Sequence, residues 1–118
     1  MSEGRKYDGG KAPVVRGLFH YFPRALMEVA KASEYGKTKY ATAYEEKNWS
    51  KLEDAQGRYL DGAGRHLLNI EVDGDFDPEC KEILDMDIHH AAQVAWNMLA
   101  YLELHITEKG SSSEPPQQ

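Results

Sequence analysis

The stretch IHHAAQVAWNMLAYLELHI, residues 88–106, decides the fold. Projected at 100° per residue, Ile88, Ala91, Ala95, Met98, Leu99, Leu102 and Ile106 fall on one broad apolar stripe, while His90, Gln93, Asn97 and Tyr101 form a second stripe nearly opposite. A helix with both sides in use packs on its own bundle with one side and lines a pocket or meets a second subunit with the other. The pattern predicts an all-α protein whose core takes the aliphatic stripe, and a homo-oligomer.

Working outward, the helix should begin near Asp77 or Pro78, after the acidic loop EVDGDFDP, and reach about Ile106. Such a helix would be about 45 Å long at 1.5 Å per residue, so a break is expected near Asp85 to Asp87. Two periodic segments precede it. The first starts at Pro23, a favoured first-turn residue, and runs to about Tyr44 with Ala25, Val29, Ala32, Gly36, Tyr40 and Ala43 on one stripe. The second opens with Ser50-Lys-Leu-Glu53, a capping-box spacing, and runs to about Glu71 with Leu52, Tyr59, Ala63, His66 and Ile70 inward. Residues 1–22 hold four glycines, a proline and no helical period, which predicts an extended arm whose GLFHYF end docks on the body. The expected architecture is a bundle of three to four helices with that arm. One helical domain over residues 1–109 and a disordered, low-complexity tail over 110–118 are expected.

Composition narrows the function. A chain of 118 residues builds one core, and 41% hydrophobic with 29% charged residues is ordinary globular composition. No apolar run approaches a membrane span, no signal peptide is visible, and the single cysteine, Cys80, forms no internal disulfide; a cytoplasmic protein is expected. The net charge of −6 argues against a nucleic-acid polymer as partner, because phosphate backbones are bound by clustered Lys and Arg. A small nucleotide needs only a few local cations.

Within the helices, His89 and His90 are adjacent and lack the i, i+4 spacing by which two imidazoles on one helix share a metal, although Asp85 and His89 have it. No metal ligand is expected there; His89 should face solvent and His90 an interface or pocket. His66, on the edge of an apolar face, reads as a satisfied core residue unless another polar group converges on it. Asp54, Arg58, Asp61 and Arg65 form a ladder whose default reading is a salt-bridged surface. Gly57, Gly62 and Gly64 in the same helix each cost about 1 kcal/mol relative to alanine, which suggests a close approach by a helix or ligand. Glu79, Glu82 and Asp85 crowd one acidic helix start. On the first helix Glu28 flanks the stripe, followed on the same edge by Tyr35 and Lys39. Gly9-Gly10-Lys11 lacks the strand and helix context of a phosphate loop.

Taken in order, KYDGGKAP, EYGKTKY, NW, RHLL, DFDPE and IHHAAQVAWN resemble the N-terminal domain of dATP/dGTP diphosphohydrolases, a family found largely in phage genomes, over about residues 5–105. The resemblance implies a fold related to the all-α nucleoside triphosphate pyrophosphohydrolases of the MazG type, which release pyrophosphate with Mg²⁺ held by Glu-x-x-Glu on one helix and Glu-x-x-Asp on another. The positions that match the family's motifs are Tyr35, Gly36, Lys39, Tyr40, Asn48, Trp49, Asp61, Arg65, His66, His89, His90, Trp96 and Asn97. The chain departs from the family in Gln93, where a histidine is common, and in about six residues inserted after Glu79; it also lacks the paired carboxylates.

What remains resembles a recognition set. Lys39 and Arg65 suit phosphates, Trp49 or Tyr35 a base, and Asn48, Asn97, His66 and His90 hydrogen-bonding edges, with Trp96 assigned to the core. The first expectation is therefore capture of a nucleotide-derived small molecule without turnover and without a cofactor, in the manner of phage sponges that sequester host immune signals of the cyclic ADP-ribose type. The alternative is a Mg²⁺-dependent dNTP pyrophosphohydrolase in which Glu28, Asp54 and Asp61 converge across the bundle, Glu28 and Asp61 holding the metal.

Overall fold

A computed structural model describes residues 9–113. Four α-helices carry the chain: α1 Pro23–Lys39, α2 Ala55–Asp73, α3 Pro78–Leu84 and α4 His90–Ser113. The all-α expectation holds; the nearest approach to a strand is one isolated antiparallel bridge, Phe76 to His89. None of the described helices is long and apolar enough to cross a membrane.

The arm differs from its expected form. Val15–Phe19 is a π-helical turn, closed by local bonds such as His20 N–H to Val15 C=O at 2.8 Å, and its apolar residues stay largely exposed. Only Phe22 enters an apolar hollow, with Leu26, Val29, Met98, Leu99 and Leu102.

Helix α1 starts at Pro23 as expected but stops at Lys39, five residues early, because Ala41 takes a left-handed conformation at φ 52°. The chain then makes 3₁₀ turns at Tyr44–Glu46 and Asn48–Lys51. Ser50 and Glu53 do not cap α2. The Ser50 hydroxyl donates to the Lys47 carbonyl at 2.7 Å, and α2 begins at Ala55 after Asp54, which is left-handed at φ 53°.

The break in the third segment is present. Asp77 caps α3, its carboxylate accepting from Glu79 N–H at 2.9 Å, and Asp85 ends the helix in a left-handed conformation at φ 55°. Residues 110–113 belong to α4 rather than to a separate tail, and 114–118 lie outside the described residues.

Packing corrects the assignment of the two stripes of α4. Its buried residues are His90, Ala92, Gln93, Ala100 and Leu104, whereas Met98, Leu99, Leu102 and Ile106 of the aliphatic stripe are exposed. The reason lies in α2, with which α4 makes its most extensive contact. The inner face of α2 is small, with Ala55, Gly62 and Ala63 buried, and it receives the mixed face of α4. A Cβ on Gly62 would stand 2.7 Å from Asn97 Oδ1, so this glycine is what lets the two helices meet. The compact core beside them joins Ala32 and Tyr35 of α1, Cys80 of α3 and Ile88.

Candidate functional site

The sequence-derived residues divide between two neighbouring places. The first is a cleft of about 910 Å³ between α1, the 42–52 loop, α2 and α4, within the size range of small-molecule sites. Three aromatic rings build one wall: Trp96 lies 6.2 Å from Trp49 and 5.5 Å from Tyr59, both edge-to-face. Tyr59 donates to the Trp49 carbonyl at 2.6 Å, and Trp96 Nε1 to Ser33 Oγ at 2.6 Å, which fixes both rings. Burial pushes the Tyr59 hydroxyl up to about 12, so it acts as a neutral donor.

Asn48 and Asn97 line the same cleft as Trp49. The Asn97 amide donates to the Gln93 carbonyl at 2.7 Å. Cations are supplied by Lys37, Lys47 and Arg58. Of these, Lys37 lies 3.8 Å from Glu34, while Lys47 and Arg58 have no carboxylate partner among the described residues. Nor does the expected ladder form: no ion pair joins Asp54, Arg58, Asp61 or Arg65.

The second place is a cluster of histidines and carboxylates behind the cleft. His66 Nδ1 of α2 and His90 Nδ1 of α4 lie 3.0 Å apart, and Asp77 Oδ2 is 3.9 Å from His66 Nδ1. His90 Nε2 meets Asp73 Oδ2 at 2.9 Å. The loop between α2 and α3 is held to the start of α4 by Asp77 N–H to Ile88 C=O at 2.9 Å and His90 N–H to Asp75 C=O at 2.8 Å, and this pairing sets both aspartates around His90. Gln93 connects the two places, since it lines the cleft and its Nε2 donates to Asp77 Oδ2 at 2.9 Å.

His90 is wholly buried and Asp77 nearly so. Burial holds His66 below the ordinary imidazole value, against the opposing pull of Asp77. Burial works on Asp77 in the raising direction, but the Gln93 amide and the Glu79 N–H outweigh it and keep the carboxyl below its ordinary value.

Other expected residues stand elsewhere. Tyr35 is buried in the core with an unpartnered hydroxyl, and Lys39 lies over its ring at 5.6 Å and 3.7 Å from Glu79. Arg65 is exposed, its guanidinium 3.7 Å from the point where a Gly62 Cβ would sit. His89 is not simply solvated: its ring packs 4.4 Å from Phe76 and its Nδ1 is 3.2 Å from Glu28. The same Glu28 carboxylate accepts from Lys31 at 3.0 Å, and these partners hold its carboxyl below the ordinary value.

Glu28, Asp54 and Asp61 are not brought together. Among the described residues, His66, Asp77 and His90 form the group of three whose ligand-type atoms come within 4.8 Å of one another. The three carboxylates therefore do not make the oxygen-rich cage that Mg²⁺ requires. Sequence reasoning missed Lys37, Lys47, Arg58 and Tyr59 in the cleft, and Asp73 and Asp77 beside the histidines, while Gln93 stands on the expected pocket stripe. Arg58 was visible as a cation, but helical spacing gave it only surface neighbours. For Asp77, the position before Pro78 signalled a helix cap and nothing more.

Comparison with known proteins agrees with the motifs. The family described as dATP/dGTP diphosphohydrolase, N-terminal, matches residues 1–114. A dATP/dGTP diphosphohydrolase of Salmonella phage PMBT28 is 36% identical over 96 residues, which are 81% of this chain and 28% of that protein. The chain thus corresponds to less than a third of the relative's length. No solved structure matches significantly. Cleft, histidine cluster and ordered motifs all fall inside the matched region, and the chain belongs to the dATP/dGTP diphosphohydrolase N-terminal family.

Proposed function

We propose that the chain binds dATP or dGTP in the aromatic cleft and takes part in cleaving it to the monophosphate and pyrophosphate. The observation that carries this reading is the cleft itself, which the Trp49–Tyr59–Trp96 wall shares with cations, of which Lys47 and Arg58 have no carboxylate partner among the described residues. An aromatic wall offers a purine stacking worth about 1–3 kcal/mol per base, and unpaired cations suit a triphosphate. The printed name of the phage relative supports the same substrate class. The surroundings in which such a chain acts would be the host-cell cytoplasm, and its working form a homo-oligomer.

Capture without turnover keeps one specific observation in its favour, the separation of Glu28, Asp54 and Asp61. One experiment separates the two. The chain is incubated with dATP or dGTP and Mg²⁺ or Mn²⁺, and both pyrophosphate release and retained nucleotide are followed. Metal-dependent release that falls at least tenfold in Arg58→Ala is the expected result. Stoichiometric retention of intact nucleotide that withstands chelator establishes capture instead, and neither release nor retention overturns both.

A further inference from the structure

We propose that His66, His90 and Asp77 form a binding site for one divalent first-row transition ion of the zinc type, with Asp73 orienting His90 behind it. This does not depend on the nucleotide reading. Two nitrogen donors about 2.1 Å from a common ion, at angles of about 90–110°, stand about 3.0–3.4 Å apart. The two Nδ1 atoms stand at 3.0 Å, Asp77 Oδ2 is 3.9 Å from the first of them, and all three ligand-type atoms lie within 4.8 Å of one another.

The back of His90 has the matching arrangement. Its Nε2 lies 2.9 Å from Asp73 Oδ2, which places the ring proton on Nε2 and leaves the Nδ1 lone pair directed at the cluster. A carboxylate that takes the far N–H of a ligating imidazole is the usual support of a protein metal ligand. Two imidazoles with one carboxylate favour zinc-like ions over Mg²⁺, which prefers oxygen.

Burial adds to the argument. His90 and Asp77 are withdrawn from water, whereas His66 keeps about a fifth of its side-chain surface exposed and gives an ion its way in.

Helical spacing could not reveal this site, because its ligands come from α2, the α2–α3 loop and α4. Three protein donors leave at least one position of a four-coordinate ion for water or another oxygen ligand. Gln93, bonded to Asp77 and lining the cleft, links the donor set to the cleft through one side chain.

The test uses the full chain without nucleotide. After treatment with chelator and dialysis, Zn²⁺ is titrated by calorimetry, and Co²⁺ is added as a probe whose visible absorption reports nitrogen and oxygen ligation. One ion per chain is expected. His66→Ala, on the exposed edge, should retain its helical circular dichroism and lose binding at least tenfold. Asp73→Asn should weaken binding by about 10–100-fold without abolishing it. Glu28→Gln should leave it unchanged. Absence of stoichiometric Zn²⁺ binding by the native chain, or binding indifferent to His66→Ala, shows a hydrogen-bonded histidine pair only and overturns the proposal. Nucleotide binding in the same preparation is scored separately, so either result stands alone.

Discussion

At the level of single residues, chemistry here is set by contacts between helices that spacing along the chain cannot display. His66 and His90 are 24 positions apart, and alone the first reads as a polar residue at the edge of an apolar face and the second as part of a pocket or interface wall. Their convergence needs the pairing of residues 75–77 with 88–90, which belongs to no repeating pattern. Cys80 is a second case. It is fully buried between Tyr35 and Asp77, and burial together with the Asp77 charge pushes its thiol up to about 12 from an ordinary value of 9.0. Since the folded value is the higher, the protonated thiol favours folding below about pH 9, and that contribution fades as pH rises from there toward about 12. At pH 9 roughly one such thiol in a thousand is ionised, against about half of an ordinary one. Iodoacetamide should therefore label native Cys80 at least a hundredfold more slowly than glutathione at pH 9, and at a comparable rate in denaturant. Native labelling at the glutathione rate would contradict the buried placement.

At the level of elements, starts and stops marked by proline or by an acidic cap were legible: Pro23 opens α1, Asp77 and Pro78 open α3, and the break after α3 falls at Asp85. Those set by a non-glycine residue in a left-handed conformation were legible only at Asp85, and there from the length of the segment rather than from the residue. Ala41, Lys47 and Asp54 all have positive φ, and such residues carry little local signal of that choice. The glycines of α2 show how much depends on the neighbouring helix. Gly62 faces Asn97, whereas Gly64 has nothing within 4 Å of its missing Cβ. Gly64→Ala should raise stability by about 0.5–1 kcal/mol through helix propensity and a less free unfolded chain. Gly62→Ala carries the same gain, but must displace an Asn97 amide already bonded to Gln93, and overpacking of this kind typically costs about 1–3 kcal/mol. The expected order in urea unfolding is Gly64→Ala above the native chain and Gly62→Ala below it. Equal stabilisation by both would remove the tight α2–α4 contact from the account.

For the whole molecule, the two-stripe pattern of α4 does not by itself disclose which side faces the core. Hydrophobicity alone favours the Leu and Ile stripe, but the small inner face of α2 suits alanines and compact polar groups, and takes His90 and Gln93 inside. The displaced stripe leaves Leu99 54% and Ile106 57% exposed, beside an apolar hollow lined by Phe22, Leu26, Met98 and Leu102. Met98, Leu99 and Leu102 line that hollow, so a two-fold axis through it would set the same apolar patch of two copies against each other, as in an isologous dimer. A second copy is accordingly the proposed cover, each buried leucine or isoleucine contributing about 1.5–3 kcal/mol. Light scattering after gel filtration should give a multiple of the 13.4 kDa chain mass, and Leu99→Lys should shift it to the monomer while the helical circular dichroism persists. His66 does not belong to that row, so the Leu99→Lys monomer also asks whether the histidine cluster works within one chain; Leu99 itself lines the cleft. Unchanged Zn²⁺ binding by the monomer is expected, because all its donors come from a single chain. A native chain that remains monomeric at high micromolar concentration would leave the aliphatic face to a different partner and remove the dimer from the proposed working form.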